Sequence, residues 1–522
     1  MNINRRSFFK LSAAVGTSLA LSNESNAIDY VFTNGLIFPS VTPESVGIPS
    51  RDVLTFLRFL RDRQVDLHSI MMIRHGKMAV EGYFAPYHSE RKHRLYSVSK
   101  SFTSLAIGRM VTEGLLSLDE RIIDHFPDLV GNDPHPWFSS VTVRHLLMMA
   151  GVHRGTPSGI RDKAWLPSWF SVAPSHPPGI ISMYDTGCTN LLSALIERRT
   201  GKPFLEYLRP VFDELGVSED IRCIRMPDGY SWGGSGVIAT TLDMAKVAYL
   251  FMKEGAVNGK RLIDPRYARE AVSPMMTTLA TNRDVERQQG YGYQIWRTRM
   301  NSFSFLGMGS QIATSIADKD FILAITADTQ GTEPNMNDII SAFWNIVYLQ
   351  LSDAPLQADK EGYEALNLFF KDAKILIVDG AHSSPTVSRI NGRTYKMQPN
   401  RAGITEARFE INGGHGVFHY INERGAKNIP FGFGENIPGV FPETHYFGEQ
   451  MGTPKNAGYE MYASGAWINE NTLYIRVRLT DDYLGSLVIN ASFSGDELTL
   501  MFFADAEAIF YEYTGVAIGG LD

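Results

Sequence analysis

The chain has 522 residues, of which 49 are basic and 56 acidic, so its formal net charge is −7 at pH 7. An acidic protein without a basic stripe has no electrostatic match to phosphate backbones or anionic lipid, which argues against nucleic-acid partners. Two cysteines, Cys188 and Cys223, are present, and the sequence leaves open whether they form a disulfide or remain free thiols.

The first 27 residues predict an export signal. Arg5 and Arg6 precede a short apolar run over 11–21, and small residues end the segment at Ala27. This pattern is typical of a twin-arginine signal peptide cleaved before Ile28, with an ordinary secretory signal as the alternative. The run is shorter than the about 20 residues that span a bilayer. We therefore expect a periplasmic or secreted bacterial protein without a stable membrane span after signal removal.

The next informative element is a helix predicted to begin near Tyr96. Ser97 and Lys100 lie three residues apart, on one helical face, which would bring the lysine amine beside the serine hydroxyl. A Ser–Lys pair can replace Ser–His in acyl transfer, and a helix N-terminus favours negative charge on the attacking oxygen. Two other Ser-x-x-Lys matches, at Ser7 and Ser89, open no apolar helix. A chance serine and lysine on an ordinary amphipathic helix is the alternative interpretation of Ser97.

Further short motifs follow in order through the first 350 residues. Besides the Ser97 motif they lie at 72–77, 113–119, 141–147, 177–179, 200–204, 233–236, 240–245 and 291–293. Together they resemble the serine hydrolases related to class C β-lactamases, which include penicillin-binding DD-peptidases, esterases and nylon-oligomer hydrolases. The resemblance implies a mixed α/β (α+β) fold of the β-lactamase/transpeptidase type, an antiparallel sheet flanked by helices. It places the active site between that sheet and an all-helical region, and it implies no cofactor.

The same resemblance assigns a second catalytic position. The family's Tyr-x-Asn motif, which follows a Pro-Pro-Gly turn, corresponds to Tyr184-Asp185-Thr186. Tyr184 would then share a proton with Lys100 as a coupled base, because an isolated phenol with a pKa near 10 is a poor base at neutral pH. Thr186 stands where the family has asparagine and is expected to contact the substrate. A packed aromatic residue is the alternative interpretation of Tyr184.

The resemblance also implies an oxyanion hole. The family's strand-borne Lys-Thr-Gly motif corresponds to 305–307, where Phe305 replaces the lysine. The donors to the oxyanion would be the N–H groups of Ser97 and Met308, with Ser310 as the alternative to Met308. Gly307 would leave room for close approach of the substrate.

The two replacements bear on the substrate. An asparagine amide can recognise the amide carbonyl of a β-lactam or peptide, and a strand lysine can attract a carboxylate, whereas Thr186 and Phe305 offer neither. We therefore predict an exported serine hydrolase that cleaves a small-molecule ester or amide. A β-lactamase or DD-peptidase is the enzymatic alternative, and a catalytically silent binding or scaffold protein is the alternative of another class. The sequence does not give the oligomeric state.

The pattern of the chain changes after the hydrolase-like part. We predict a hydrolase domain over 28–354, a polar linker over 355–374 and a β domain over 375–522. Alternate residues from Leu473 to Leu479 are apolar, and the segment 494–496 reads as a hairpin turn. Several such strands imply a β-sandwich or barrel, and the region around 465–479 resembles lipocalin-like appendages of some of these hydrolases. No zinc, phosphate-loop or dinucleotide motif is present, and we expect no metal site or cofactor.

Overall fold

A six-stranded antiparallel sheet organises the N-terminal part of the computed structural model, which describes residues 35–159, 162–331, 335–443, 458–505 and 511–522. The strands of this part are β1 (Leu67–Arg74), β2 (Lys77–Tyr83), β3 (His93–Arg94), β4 (Arg222–Cys223), β5 (Val237–Ala239), β6 (Ala256–Val257), β7 (Lys260–Arg261), β8 (Trp296–Thr298), β9 (Ser302–Gly307), β10 (Gln311–Ile316) and β11 (Phe321–Ala327). The sheet has the order β2-β1-β11-β10-β9-β8, and β3-β5-β4 and β6-β7 form two small sheets. Strands β1, β9, β10 and β11 are buried along their whole length, as expected for strands covered on both faces.

Helices surround this sheet and build a separate helical region beside it. They are α1 (Ser50–Asp62), α2 (Ser99–Thr112), α3 (Pro136–Ser139), α4 (Val143–Leu147), α5 (Trp165–Ser171), α6 (Thr186–Thr200), α7 (Phe204–Leu215), α8 (Thr241–Met252), α9 (Pro265–Ala271), α10 (Met336–Ile346), α11 (Lys360–Lys371) and α12 (Val387–Ile390). Helix α8 packs on β10 and β11, while α2 contacts α6, α7 and α9. The expected sheet flanked by helices is confirmed, and the helix predicted near Tyr96 is α2 with a preceding 3-10 turn over Tyr96–Val98.

The segment predicted as a linker is mostly helical. Helix α11 lies within it and packs along α1. Arg51 of α1 pairs with Asp359 at 2.6 Å, and the ring of Phe370 lies 6.4 Å from that of Phe84. The segment 355–374 thus rests on the hydrolase part, and the domain boundaries themselves stay predictions.

The C-terminal part is a closed β-barrel. Its strands are β12 (Thr394–Met397), β13 (Glu406–Asn412), β14 (His415–Asn422), β15 (Gly425–Phe433), β16 (Ile437–Phe441), β17 (Tyr459–Asn469), β18 (Thr472–Leu479), β19 (Gly485–Ser494), β20 (Glu497–Asp505) and β21 (Gly515–Leu521). Nine of these ten strands form the ring, which closes where β15 pairs in parallel with β17. The tenth strand, β16, pairs with β17 beside this closure. The alternating residues Leu473, Ile475, Val477 and Leu479 are buried. The predicted barrel is therefore confirmed, as is the hairpin turn between β19 and β20.

Two sequence expectations concern membranes and export. Within the described residues no helix combines the length and the apolar character needed to cross a bilayer. The predicted signal peptide, residues 1–27, lies outside the described residues. Export therefore stays a prediction.

Candidate active site

Ser97 lies in the middle of the 3-10 turn that leads into α2. The helix begins at Ser99, so Lys100 falls in its first turn and is almost wholly buried. Its Nζ donates a hydrogen bond of 3.1 Å to the Ser97 Oγ. This is the juxtaposition that the three-residue spacing predicts, and it sets an amine within proton-transfer distance of a hydroxyl.

Lys100 has a second acceptor that the sequence did not identify. Its Nζ donates to the carbonyl oxygen of Gly234 at 2.6 Å. A Cβ at Gly234 would lie 2.5 Å from the Thr186 methyl group and 2.8 Å from the Asn190 Oδ1, so only glycine fits there without movement. The glycine-rich segment 233–236 was the available signal, but its contact with Lys100 depends on tertiary structure.

Tyr184 faces Lys100 from the other side of the cleft. It lies just before Asp185, the N-cap of α6, and 38% of its surface is exposed. The Lys100 Nζ lies 5.0 Å from the centroid of the Tyr184 ring, which in turn stacks on Trp296 at 5.4 Å. Within the described part of the chain, the Tyr184 hydroxyl has no hydrogen-bond partner, so it is free to bond to a substrate.

Asp185, the residue after Tyr184, fixes the start of α6. Its buried carboxylate accepts hydrogen bonds from the Gly187 N–H at 2.7 Å, the Trp169 Nε1 at 3.0 Å and the Cys188 Sγ at 3.3 Å. Burial raises the pKa of this carboxyl, and burial also raises the pKa of the Cys188 thiol well above its usual range. Cys188 and Cys223 are both free, which answers the question that the sequence left open.

Strand β9 comes close to the turn that carries Ser97, and the oxyanion hole itself stays a prediction. A Cβ on Gly307 would lie 2.3 Å from the Leu95 carbonyl oxygen and 3.3 Å from the Ser97 nitrogen, so the backbones are in close contact. Gln311 Nε2 fixes the turn by donating to the Met308 carbonyl oxygen at 3.0 Å. Among the described residues, the N–H groups of Ser97 and Met308 donate no backbone hydrogen bond. Both are therefore available to a ligand.

Thr186 and Phe305 are held by contacts within the protein. Thr186 begins α6, its N–H donates to the Thr156 Oγ1 at 2.8 Å, and its methyl group faces Gly234. Phe305 is buried in β9, with its ring 6.0 Å from that of Phe251 on α8. Neither side chain therefore offers a charged group for substrate binding.

A cavity of about 190 Å³ opens beside Tyr184. Among the described residues that line it are one cation, Arg154, and neutral polar and apolar groups, with no carboxylate. The remaining lining residues are Met149, Ser182, Met183, Thr281, Asn282, Tyr291 and Trp296. The described residues contain no cluster of three or more histidine, cysteine or carboxylate groups that could hold a metal ion.

The chain is similar to known proteins over its hydrolase-like part. A family model described as Beta-lactamase matches residues 58–342. The chain is 26% identical to a Beta-lactamase of Yersinia enterocolitica over 145 residues, covering 27% of this chain and 36% of that protein. It is 20% identical to a 6-aminohexanoate-dimer hydrolase of Paenarthrobacter ureafaciens over 212 residues, covering 37% and 54%. The matches thus span about a third to a half of these two relatives.

One solved structure is similar to part of this chain. A penicillin-binding protein homologue from Caulobacter crescentus superposes with a TM-score of 0.48 and 18% identity. The superposition covers 58% of this chain and 98% of the other.

Proposed function

The chain belongs to the beta-lactamase family, whose members are serine hydrolases, and from this premise we propose that it is an exported enzyme that cleaves an ester or amide through an acyl-enzyme on Ser97. The observation that carries the proposal is the 3.1 Å hydrogen bond between the Lys100 Nζ and the Ser97 Oγ. An isolated serine is a weak nucleophile, and an adjacent base is what activates it.

The proposed reaction has two steps. The Ser97 Oγ attacks the substrate carbonyl carbon and gives its proton to the coupled base of Lys100 and Tyr184, while the N–H groups of Ser97 and Met308 stabilise the oxyanion. The bond to the leaving group then breaks, and the base returns the proton to the leaving oxygen or nitrogen. Water hydrolyses the acyl-enzyme by the reverse sequence of proton transfers. This scheme requires no cofactor.

We propose a small ester or a neutral amide as the substrate class. Phe305 is buried and Thr186 turns its methyl group to Gly234, so neither supplies the amide or the ammonium group that would orient a β-lactam or a terminal carboxylate. A panel of p-nitrophenyl esters, short amides, D-amino-acid peptides and β-lactams tests this point. Turnover of esters or neutral amides should exceed turnover of β-lactams by orders of magnitude, whereas more efficient hydrolysis of benzylpenicillin or nitrocefin would favour the β-lactamase alternative.

Active-site labelling tests the nucleophile. A fluorophosphonate probe should add one label to the protein, and peptide mapping should place that label on Ser97. Ser97→Ala should abolish labelling, while Ser89→Ala, at an exposed Ser-x-x-Lys match, is the matched control and should label as the wild type does. Because the catalytic residues act as a unit, adding Lys100→Ala or Tyr184→Phe to Ser97→Ala should lower turnover little further than Ser97→Ala alone. Labelling that persists in Ser97→Ala would overturn the assignment.

Export is supported by the Arg5-Arg6 pair and the apolar run over 11–21. Cell fractionation is the test: replacing both arginines by lysine should retain the protein in the cytoplasm. Unchanged export would point to an ordinary secretory signal.

A further inference from the structure

The residue immediately before the nucleophile has an unusual backbone. Tyr96 has φ of 47°, in the left-handed region that bulky residues rarely adopt. Such a conformation persists only where the surrounding structure holds it, and it is often found at functional sites. The contacts that hold Tyr96 therefore contribute to the position of Ser97.

Arg94 is the first of these contacts. Its guanidinium carbon lies 4.4 Å from the centroid of the Tyr96 ring, and both side chains are fully buried. A guanidinium over an aromatic face is attracted by the ring quadrupole, more strongly when both groups are removed from water. The Tyr96 ring is thus fixed through its face.

The same guanidinium reaches the partner of the catalytic lysine. Arg94 donates from Nε to the Ser235 carbonyl oxygen at 3.1 Å and from Nη2 to the Ser235 Oγ at 3.2 Å. Ser235 follows Gly234, whose carbonyl oxygen accepts from Lys100. One buried cation therefore connects the backbone before Ser97 with the backbone that holds Lys100.

The barrel contributes to the surroundings of Arg94 and Tyr96. In the loop between β18 and β19, the Tyr483 ring centroid lies 5.9 Å from the Arg94 guanidinium, and the Leu484 carbonyl oxygen lies 3.5 Å from the Tyr96 hydroxyl. The loop is tied to the hydrolase part by an ion pair between Asp482 and Arg222.

We propose that Arg94 is a positioning residue for both Ser97 and Lys100, and that the barrel loop 480–484 is a structural part of the active site because it clamps Arg94 and Tyr96. The proposal rests on the function proposed above. It gives the barrel a role in turnover that does not require the barrel to bind the substrate. Neither Arg94 nor Tyr483 touches the reacting atoms in this arrangement, so their loss should lower kcat and leave KM unchanged.

The test compares four variants of the full chain. Tyr483→Leu removes the ring over Arg94, and Tyr483→Phe keeps it. Arg94→Lys keeps the charge but loses the planar face and the two-pronged contact with Ser235. Phe493→Leu is the matched control, because Phe493 is likewise a buried barrel aromatic but packs on Phe409 and Trp467 rather than on the hydrolase part.

The measurements are the rate of fluorophosphonate labelling at Ser97 under saturating probe, kcat and KM for a p-nitrophenyl ester, and the thermal midpoint. Tyr483→Leu and Arg94→Lys should lower the labelling rate and kcat by about tenfold or more, with KM unchanged. Tyr483→Phe should retain most of the wild-type labelling rate and kcat. Phe493→Leu should lower the thermal midpoint and leave the labelling rate near that of the wild type.

Three results would overturn the proposal. Labelling of Tyr483→Leu at the wild-type rate would show that the barrel does not position Ser97. Equal slowing in Phe493→Leu would show that any loss of barrel stability has the same effect, and a raised KM with unchanged kcat in Arg94→Lys would assign Arg94 to substrate binding. If Arg94→Lys does not fold, the two Tyr483 variants decide. Absence of labelling in the wild type would instead refute the proposed function, and this proposal with it.

Discussion

Replacing Gly307 by alanine tests the oxyanion side of the site directly. The added Cβ would lie 2.3 Å from the Leu95 carbonyl oxygen, about 1 Å closer than the ~3.3 Å at which carbon and carbonyl oxygen normally meet. Because this contact is with backbone rather than with a flexible side chain, β9 or the turn that carries Ser97 must move by about that distance. A displacement of this size, or the loss of one oxyanion donor, costs about 100-fold in kcat, or ~2.7 kcal/mol of activation free energy.

The assay is steady-state hydrolysis of a p-nitrophenyl ester, with circular dichroism to establish that the variant is folded. Gly131→Ala is the control, since a Cβ at Gly131 has no neighbour within 4 Å and its backbone is not left-handed. The control should keep wild-type kcat. A folded Gly307→Ala variant with kcat within about threefold of the wild type would refute the assignment of this turn to the oxyanion hole.

Two further predictions concern stability. Asp66, the residue before β1, forms a buried ion pair with Arg478 of β18 in the barrel. Asp66→Asn leaves Arg478 buried without its charge partner and should lower the free energy of unfolding by about 3–5 kcal/mol. The double variant Asp66→Leu with Arg478→Met should recover most of the lost stability. Urea midpoints measure both, and an Asp66→Asn midpoint equal to the wild type would contradict the prediction. The second concerns His93, which hydrogen-bonds to His68 at 2.7 Å and whose pKa burial lowers from 6.5 to about 4. The unfolded chain therefore binds a proton at His93 first as pH falls, so the contribution of His93 to stability should be complete well above pH 6.5 and should fall by about 3 kcal/mol by pH 4. Burial also lowers the pKa of His68, which adds to the total loss of stability in the same direction. His93→Gln, which cannot gain charge, should show a smaller drop, and an equal drop in both proteins would refute the role of His93.

The Ser97–Lys100 pair was predictable because it depends on local spacing: the contact follows from a helix that begins near the right residue. The assignments of Tyr184, Gly307 and Met308 come instead from the resemblance to the class C β-lactamase-related hydrolases. The alternating pattern of Leu473 to Leu479 likewise predicts a strand with one buried face, and β18 has it. This helix and this strand are both predictable because the repeat of apolar residues in the sequence matches the periodicity of the element.

The remaining features depend on contacts between distant segments. Gly234 accepts from Lys100 across 134 positions of the chain, and Tyr96 meets Leu484 across 388. No local pattern marks such pairs, because they arise only when the sheet and the barrel are assembled. The segment 355–374 is a further example. Its polar composition predicts a linker, whereas the packing of α11 on α1 is a contact between distant parts of the chain.

Closure of the barrel has a consequence for how the molecule can move. The loop that carries Tyr483 leaves β18 and enters β19, and these strands are paired without interruption from Thr472↔Ser492 to Leu479↔Gly485. Among the described strands the ring is closed by the pairing of β15 with β17, so this loop is anchored at both ends in paired strands. Under the proposed clamp, a change in this loop would therefore reach the turn that carries Ser97, whereas a change elsewhere in the barrel would not.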